Sequence, residues 1–471
     1  MGAFWGRNFY ISGSSENDIF GWDIVLSSDG TRLAISDPNY DTNESRDVGY
    51  VAVYDLSKNA LTNETTSDLN VEIIGDGAQD NLGFSIDFSN DANSIAIGSP
   101  GNDQNVGEVK IYARSNDEWN LKGSTISGGA NNQAFGRSLS ISEDGSIIAI
   151  GDPFFDSSGT NVGSTTTFKY DPIPQDWIQI GQKITGSTSY SNLGYSVDLS
   201  LNGELLAIGS PETGLTNKNG LVSIYHFQDQ RWQKIGQDII GESDSDESGT
   251  TLKVSSPSGT LDGSIIAVGA IKNDGTGKKN SGHVRVFKYS QSQNSWDQLG
   301  NDIDGTNIGD LSSYEIDLSD NGQTLSIGSI KHDLPGNDAG QVRIFNFDEE
   351  ENLWRQSGFD LLGTKANENF GSSTSFSSDA KTIAISSLNG GENDYGQITL
   401  YDLTSKIYPL NDVLYSNDNA LIRYHYKLID SITGEKVTGV NLWTLDDSGN
   451  NTTFDNEYKN KSYDLVVEAK T

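Results

Sequence analysis

Six oxygen-bearing side chains recur at one place in the chain. Asp47, Asn105, Asn161, Asn280, Asp338 and Asp394 each stand two residues before a glycine (Gly49, Gly107, Gly163, Gly282, Gly340, Gly396) that opens a strand-like run ending in Tyr or Phe. Carboxylate and amide oxygens repeated in this way suit two chemistries. A ring of them would coordinate Ca²⁺, which takes about six to eight oxygen ligands, or would accept hydrogen bonds from sugar hydroxyls. Asp47, Asp338 and Asp394 carry the charge that a metal site needs. Alternatively each side chain closes a local Asx turn before the strand begins. Recurrence in six of seven repeats favours the turn, because a single site rarely draws on every repeat.

A second constellation is aromatic. The residue after each repeat's opening dipeptide varies: Trp22, Phe84, Arg137, Tyr195, Thr250, Tyr314 and Ser372. Trp22, Tyr195 and Tyr314 are expected to line a central mouth and to contact a ligand there. Asp103, Asp274 and Asp338 fall in irregular, polar segments and are the candidate loop contacts. Catalysis finds less support. His226, His283, His332 and His425 sit in unrelated contexts, without metal-ligand spacing or a paired nucleophile. The expectation is therefore a protein that is not an enzyme. A propeller-type polysaccharide-active enzyme, with its acid and base scattered over loops, is the catalytic alternative.

The elements that must position these residues are written in a repeat. Gly13, Gly75, Gly128, Gly186, Gly241, Gly305 and Gly363 each stand seven residues before a motif start: Phe20-Gly21, Leu82-Gly83, Phe135-Gly136, Leu193-Gly194, Ser248-Gly249, Ser312-Ser313 and Phe370-Gly371. A repeat of about 50 residues made of short alternating runs predicts a propeller or solenoid. In the third copy, the run from Phe135 to Ser142 alternates with period two. Glu143-Asp144-Gly145 then turns the chain, Ile147–Gly151 is apolar, Gly163–Phe168 is a third strand and Trp177–Gly186 a fourth. Four antiparallel strands make one propeller blade. Trp119, Trp177, Trp232, Trp296 and Trp354 recur at one position and are assigned to the blade core.

The seventh unit lacks the Trp-x-x-Ile-Gly segment, and Phe4 to Gly13 supply it. The prediction is an all-β chain: a seven-bladed β-propeller over residues 1–408, closed by an N-terminal strand (residues 4–13), then a small β-sandwich-like module over 409–471. The copy at Ser248-Gly249 carries about five extra residues around Pro257 to Leu261, placed by strand direction on the face opposite the long loops.

The chain has 66 acidic against 31 basic residues, a net charge of −35, no Cys and one Met. That charge disfavours nucleic acid and anionic membranes as partners. Disulfides are excluded, and no apolar run is long enough to span a membrane, so no membrane insertion is expected. Strand residues begin almost at once, so export without a cleaved leader, or release within a virion, is expected.

Phe20-Gly21…Ser28-Asp29-Gly30…Ala34-Ile35…Pro38…Gly49-Tyr50-Val51-Ala52-Val53-Tyr54 resembles the FG-GAP type of repeat. Such repeats build the integrin-α-like β-propeller head and propellers of large marine bacterial surface proteins. The resemblance covers residues 1–408 and implies an extracellular or cell-surface adhesion module with a glycan or protein partner. Integrin-like copies often carry a D-x-D-x-D-G calcium loop, which this sequence lacks, so Ca²⁺ is implied only loosely. The segment from Leu442 to Ala469 resembles cadherin-like or immunoglobulin-like modules. A phage virion structural or receptor-binding protein of tail or fibre is the alternative, since it requires no leader.

Strand direction gathers the irregular segments on one face, including Asn39 to Asp47, Gly101 to Asn105, Lys272 to Asn280, His332 to Asp338 and Asn389 to Asp394, together with Glu16-Asn17-Asp18. Variable loops on a rigid scaffold are where binding resides.

Overall fold

A computed structural model of the chain describes residues 4–13, 19–58, 65–157, 159–212, 219–256, 259–404, 423–430 and 463–470. Two compact units divide it: Arg7–Gln356 with Asp360–Asp402, and Met1–Gly6 with Ser357–Phe359 and Leu403–Thr471. In the second unit the strands Arg423–Asp430 and Tyr463–Lys470 pair antiparallel, Tyr424 opposite Ala469. The rest of the expected C-terminal module lies outside the described residues, as do Glu16, Asn17 and Asp18.

The first unit is a seven-bladed β-propeller. Each blade is an antiparallel meander. In the third, the strands are Ser138–Ile141, Ile147–Asp152, Ser164–Asp171 and Asp176–Thr185, with Leu139 opposite Ile150, Ile150 opposite Thr166 and Tyr170 opposite Trp177. The inner strand starts later than the alternation suggests. Gly136 (φ 86°) bends the chain first, and its N–H donates to Gly151 O. In the second, fourth, fifth and sixth blades the outermost strand is broken, so that Arg231–Lys234 and Ile239–Ile240 both pair with Leu221–Gln228.

The hairpins after the inner strands follow one recipe. Ser142 Oγ donates to Asp144 Oδ1, which accepts from the Ser146 amide. Ser27 with Asp29, Ser89 with Asp91 and Ser377 with Asp379 repeat it. The described extra residues of the fifth blade, Gly259 to Leu261, enter this hairpin. Asp262 Oδ1 accepts from the Gln291 amide and the Gly263 N–H donates to Tyr289 O, which puts them beside the third-to-fourth strand turn, away from Asp274. Pro257 and Ser258 lie outside the described residues.

The second strands, such as Ile95–Ile97 and Leu206–Ile208, are wholly buried. They read as continuous apolar runs because each blade is covered on both faces by its neighbours. The core is accordingly a set of inter-blade layers. One layer joins Leu205, Val222 and Ile224 of the fourth blade to Ile266, Val268 and Trp296 of the fifth. Another joins Ile398 and Leu400 of the seventh to Ile24, Leu33 and Ile35 of the first, closing the ring.

The tryptophans are core, and the glycines that stand four residues after Trp119, Trp177, Trp232 and Trp296 explain why. A Cβ on Gly123, Gly181, Gly236 or Gly300 would stand 2.6–2.8 Å from Cδ1 of Trp177, Trp232, Trp296 or Trp354 in the next blade. The Trp354 Nε1–H donates to Leu299 O of the blade before it. Gly300 also has φ 79°. Gly300→Ala should therefore cost about 2 kcal/mol through overpacking and backbone strain. Thermal unfolding checks this, and an unchanged melting temperature would contradict the contact.

The strand Phe4–Ser12 lies beside Gln397–Thr404, as the N-terminal latch requires. The Gly13 N–H donates to Gly396 O at 3.0 Å, Gln397 Nε2 donates to Ser12 Oγ at 3.2 Å, and Ile11 is buried in the closing layer. Deleting residues 1–14 should expose an unpaired strand edge and drive aggregation. Light scattering with thermal melting decides it. A deletion variant that stays monomeric with unchanged melting would remove the latch's role.

Candidate functional site

One face carries both the second-to-third strand loops and the connections between blades, and hydrogen bonds tie the two sets together. The Asn81 N–H donates to Asp47 O, Gln133 to Asn105 O, Asn192 to Asn161 O, Leu311 to Asn280 O and Asn369 to Asp338 O. The accepting residues are five of the six recurrent Asx positions, and all six positions have left-handed backbones, φ from 49° to 62°. Asn and Asp tolerate that region better than other side-chain-bearing residues. The glycine two residues on is equally constrained, since a Cβ at Gly49 would lie 2.2 Å from the Leu82 backbone.

The recurrent residues do not close the expected Asx turns; their own amides are instead held by the aspartates that open the loops, five or six residues earlier. Asp41, Asp156, Asp274 and Asp333 accept from the amides of Asp47, Asn161, Asn280 and Asp338.

The three carboxylates singled out for metal are far apart in role. Asp338 Oδ2 pairs with Lys331 Nζ at 2.8 Å, and Asp394 pairs with Lys365, so each already faces an ammonium group. Asp47 lines a concavity of about 420 Å³ with Asn81, Asp103 and Asn105. Thus Asp47 and Asp103 are brought together. Asp274 lies elsewhere, in a concavity of about 190 Å³ with Glu242, Asp302 and Asp304. Burial and the Arg285 guanidinium hold the pKa of His283, at the back of that second group, below the ordinary imidazole value.

The aromatic positions do converge. Trp22 and Phe84 rings lie 5.2 Å apart, and Trp22 Nε1 donates to Phe84 O. Arg137 sits 5.1 Å over Phe84 and 4.1 Å over Tyr195, and its Nη2 donates to Tyr195 Oη. Burial raises the pKa of Tyr314, with Glu315 and Tyr195 adding to the effect. Trp22, Phe84, Arg137, Tyr195 and Tyr314 are all half-buried. They form a collar at the loop-side end of the inner strands, around the propeller axis.

Below the collar is a group that the sequence reading missed. Asp23, Asp87, Asp198, Lys253, Glu315 and Asp317 project from the inner strands. Four of the carboxylates stitch neighbouring blades together: Asp23 accepts from the Ile86 amide, Asp87 from Ile141, Asp198 from Val254 and Asp317 from Phe376, at 2.6–2.9 Å. Asp198 is buried and the others are half-buried, so water reaches a narrow axial channel. Burial raises the pKa of Asp23 to about 6, Asp87 to about 7, Asp317 to about 6 and Glu315 to about 8. Burial would lower Lys253, but Asp198, Asp317, Asp87 and Glu315 together push it up.

The signal was present as a charge at one register: Ile86-Asp87-Phe88, Val197-Asp198-Leu199 and Ile316-Asp317-Leu318. Such an array can hold protons near neutral pH, order water, and attract a cationic group past the aromatic collar.

No family model matches the chain, and no curated protein matches it. Among solved structures it is similar to the C-terminal WD40 domain of Sif2, at 11% identity and a TM-score of 0.49, covering 86% of this chain and 99% of that one. It is also similar to a putative 6-phosphogluconolactonase from Bacteroides uniformis ATCC 8492, at 13% identity and a TM-score of 0.48, covering 74% of this chain and 88% of that one. Among the described residues no helix is long and apolar enough to cross a membrane.

Proposed function

We propose that the chain is a non-catalytic recognition module, extracellular or on a cell surface, that takes a glycan or protein partner on its loop-rich face. The collar of Trp22, Phe84, Arg137, Tyr195 and Tyr314 carries this reading. It supplies flat apolar rings and a guanidinium at the centre of a face whose surrounding loops vary. The FG-GAP-type resemblance of the repeats supports an adhesive role. Asp103, Asp274 and Asp338 are the loop contacts. Calcium enters as an oxygen-bound bridge between exposed loops at Asp47, since Asp338 and Asp394 are taken up by Lys331 and Lys365. The concavity shared by Asp47 and Asp103 offers the most room for it.

A glycan array and a partner screen, each run with and without millimolar Ca²⁺, test the reading. Trp22→Ala and Tyr195→Ala should each weaken attachment about tenfold, equivalent to about 1.4 kcal/mol, without unfolding the ring. Attachment untouched by both variants and by replacement of Asp103, Asp274 and Asp338 would refute it. A partner found only on a bacterial host surface would move the module into the phage virion alternative.

One observation favours a second reading, a polysaccharide-active enzyme. Glu315, raised to about 8, and Asp23, raised to about 6, stand beside the aromatic collar with perturbed acidities of the kind that general acids use. Polysaccharide cleavage abolished by Glu315→Gln would support it.

A further inference from the structure

We infer that Glu242, His283 and Asp302 form a binding site for a divalent transition-metal ion of the Zn²⁺ class, at the junction of the fourth and fifth blades. The three residues stand 41 and 19 positions apart in sequence, and the propeller brings them to one spot. Glu242 follows the outer strand piece Ile239–Ile240 of the fourth blade, His283 opens the strand His283–Ser290 of the fifth, and Asp302 precedes Ile303–Asp304. One ligand atom from each lies within 4.8 Å of the other two.

The imidazole distinguishes this group from the many acidic clusters of the chain. His283 is 1% exposed, and its Nε2 has no hydrogen-bond partner among the described residues. Its Nδ1 faces Glu242 Oε2 at 3.9 Å, too far for a hydrogen bond. Nδ1 is therefore the nitrogen that a metal shared with Glu242 would take, and Glu242 and Asp302 both line a concavity of about 190 Å³.

The donor set selects the ion. A neutral imidazole with two carboxylates suits Zn²⁺, Co²⁺ or Mn²⁺, whereas Ca²⁺ and Mg²⁺ prefer oxygen alone. Zn–N and Zn–O bonds of about 2.0–2.2 Å place tetrahedral ligand atoms about 3.4 Å apart. Some closing-in is required, and Glu242, one of the two exposed members, has the freedom to provide it. Arg285 Nη1 lies 3.6 Å from Glu242 Oε1, and Arg285 Nη2 is fixed on Ile240 O. That guanidinium engages the other carboxylate oxygen and leaves Oε2 toward the ring. Asp302 Oδ1 already accepts from Gln298 Nε2, which orients that carboxylate. Three protein ligands leave a fourth position open to the concavity, where Asp274 and Asp304 also stand. The site does not depend on what the collar binds.

Titration of the full chain with Zn²⁺ by calorimetry should show one equivalent bound at micromolar free metal. Melting should rise with Zn²⁺ under conditions where equal Ca²⁺ leaves it unchanged. Cu²⁺ loaded in its place should show one imidazole nitrogen by pulsed electron paramagnetic resonance. His283→Asn should remove that nitrogen signal and weaken Zn²⁺ at least tenfold. Glu242→Gln and Asp302→Asn change exposed side chains and should each weaken it similarly, so the test survives if the His283 variant misfolds. Zn²⁺ binding that is absent, that is indifferent to Glu242→Gln and Asp302→Asn, or that shows no histidine nitrogen would overturn the site.

Discussion

Lys253→Met should lower the melting temperature by several degrees at pH 8 and much less at pH 5. Lys253 is the one cation among the charged inner-strand residues Asp23, Asp87, Asp198, Glu315 and Asp317, and the combined field of four of them raises its pKa. Removing the partner of buried charge costs about 3–5 kcal/mol when the remaining charge stays buried. Here the channel is wet, so the lower end, roughly 3 kcal/mol, is expected at pH 8. At pH 5 the carboxyls raised to about 6, 7 and 8 are mostly protonated already, and little charge is left uncompensated. Combining Lys253→Met with Glu315→Gln and Asp317→Asn should recover most of the loss. Denaturant titrations at both pH values measure this. An equal loss at pH 5 and pH 8 would mean that the methionine merely packs badly.

That experiment targets the part of the molecule that the sequence conveyed least. The repeat glycines, the alternating runs and the missing seventh outer strand were enough to place every blade and the latch. Each is a local pattern with a local cause, such as Gly300 making room for Trp354. The collar was also legible, because Trp22, Tyr195 and Tyr314 share one position in the ruler and the ring turns shared position into shared space. Ligand geometry was not.

Asp338 and Asp394 looked alike with Asp47 in sequence, yet Lys331 and Lys365 come to the first two from seven and 29 residues away. The lysines occupy no repeated position, so nothing in the ruler announces them. His283 looked isolated for the same reason: its carboxylate neighbours arrive from another blade and from the far end of its own. The axial carboxylates were hidden differently. Alternation assigns inner-strand side chains to a buried or an open face, but only closure of the ring makes the open face a narrow channel where acids are desolvated.

Closure also fixes how stability depends on pH. The channel carboxyls are raised from ordinary values of 3.8 and 4.5 to about 6, 7, 6 and 8 for Asp23, Asp87, Asp317 and Glu315, and Asp152 is raised to about 7. A carboxyl raised in the folded state binds its proton more tightly there than in the unfolded chain. Its contribution is fully present below the unfolded value and is lost as pH rises through the folded one. The window therefore runs from about pH 4 to about pH 8, and stability should fall across it.

Other groups act mostly outside that window. Asp29, Asp91, Asp144 and Asp379 are held low by hydrogen bonds that outweigh burial, so their contribution is lost only as pH falls below about 4. Lys253 is raised and loses its contribution only above its ordinary 10.5. His283, held low, works in the opposite direction near its ordinary 6.5, but it is one group against five. A single carboxyl raised by two units carries about 2.7 kcal/mol, so the fall from pH 5 to pH 8 should be at least roughly 3 kcal/mol. Urea titrations at one-unit intervals measure it, and Asp87→Asn with Glu315→Gln should flatten the curve. A profile that is level or rising between pH 5 and pH 8 would show that these acids are not desolvated. If the profile falls as expected, the uncompensated charge at pH 8 favours a cationic group entering past the collar. A partner that inserts an amine should then bind more tightly at pH 8 than at pH 5, and should do so less in the Glu315→Gln variant.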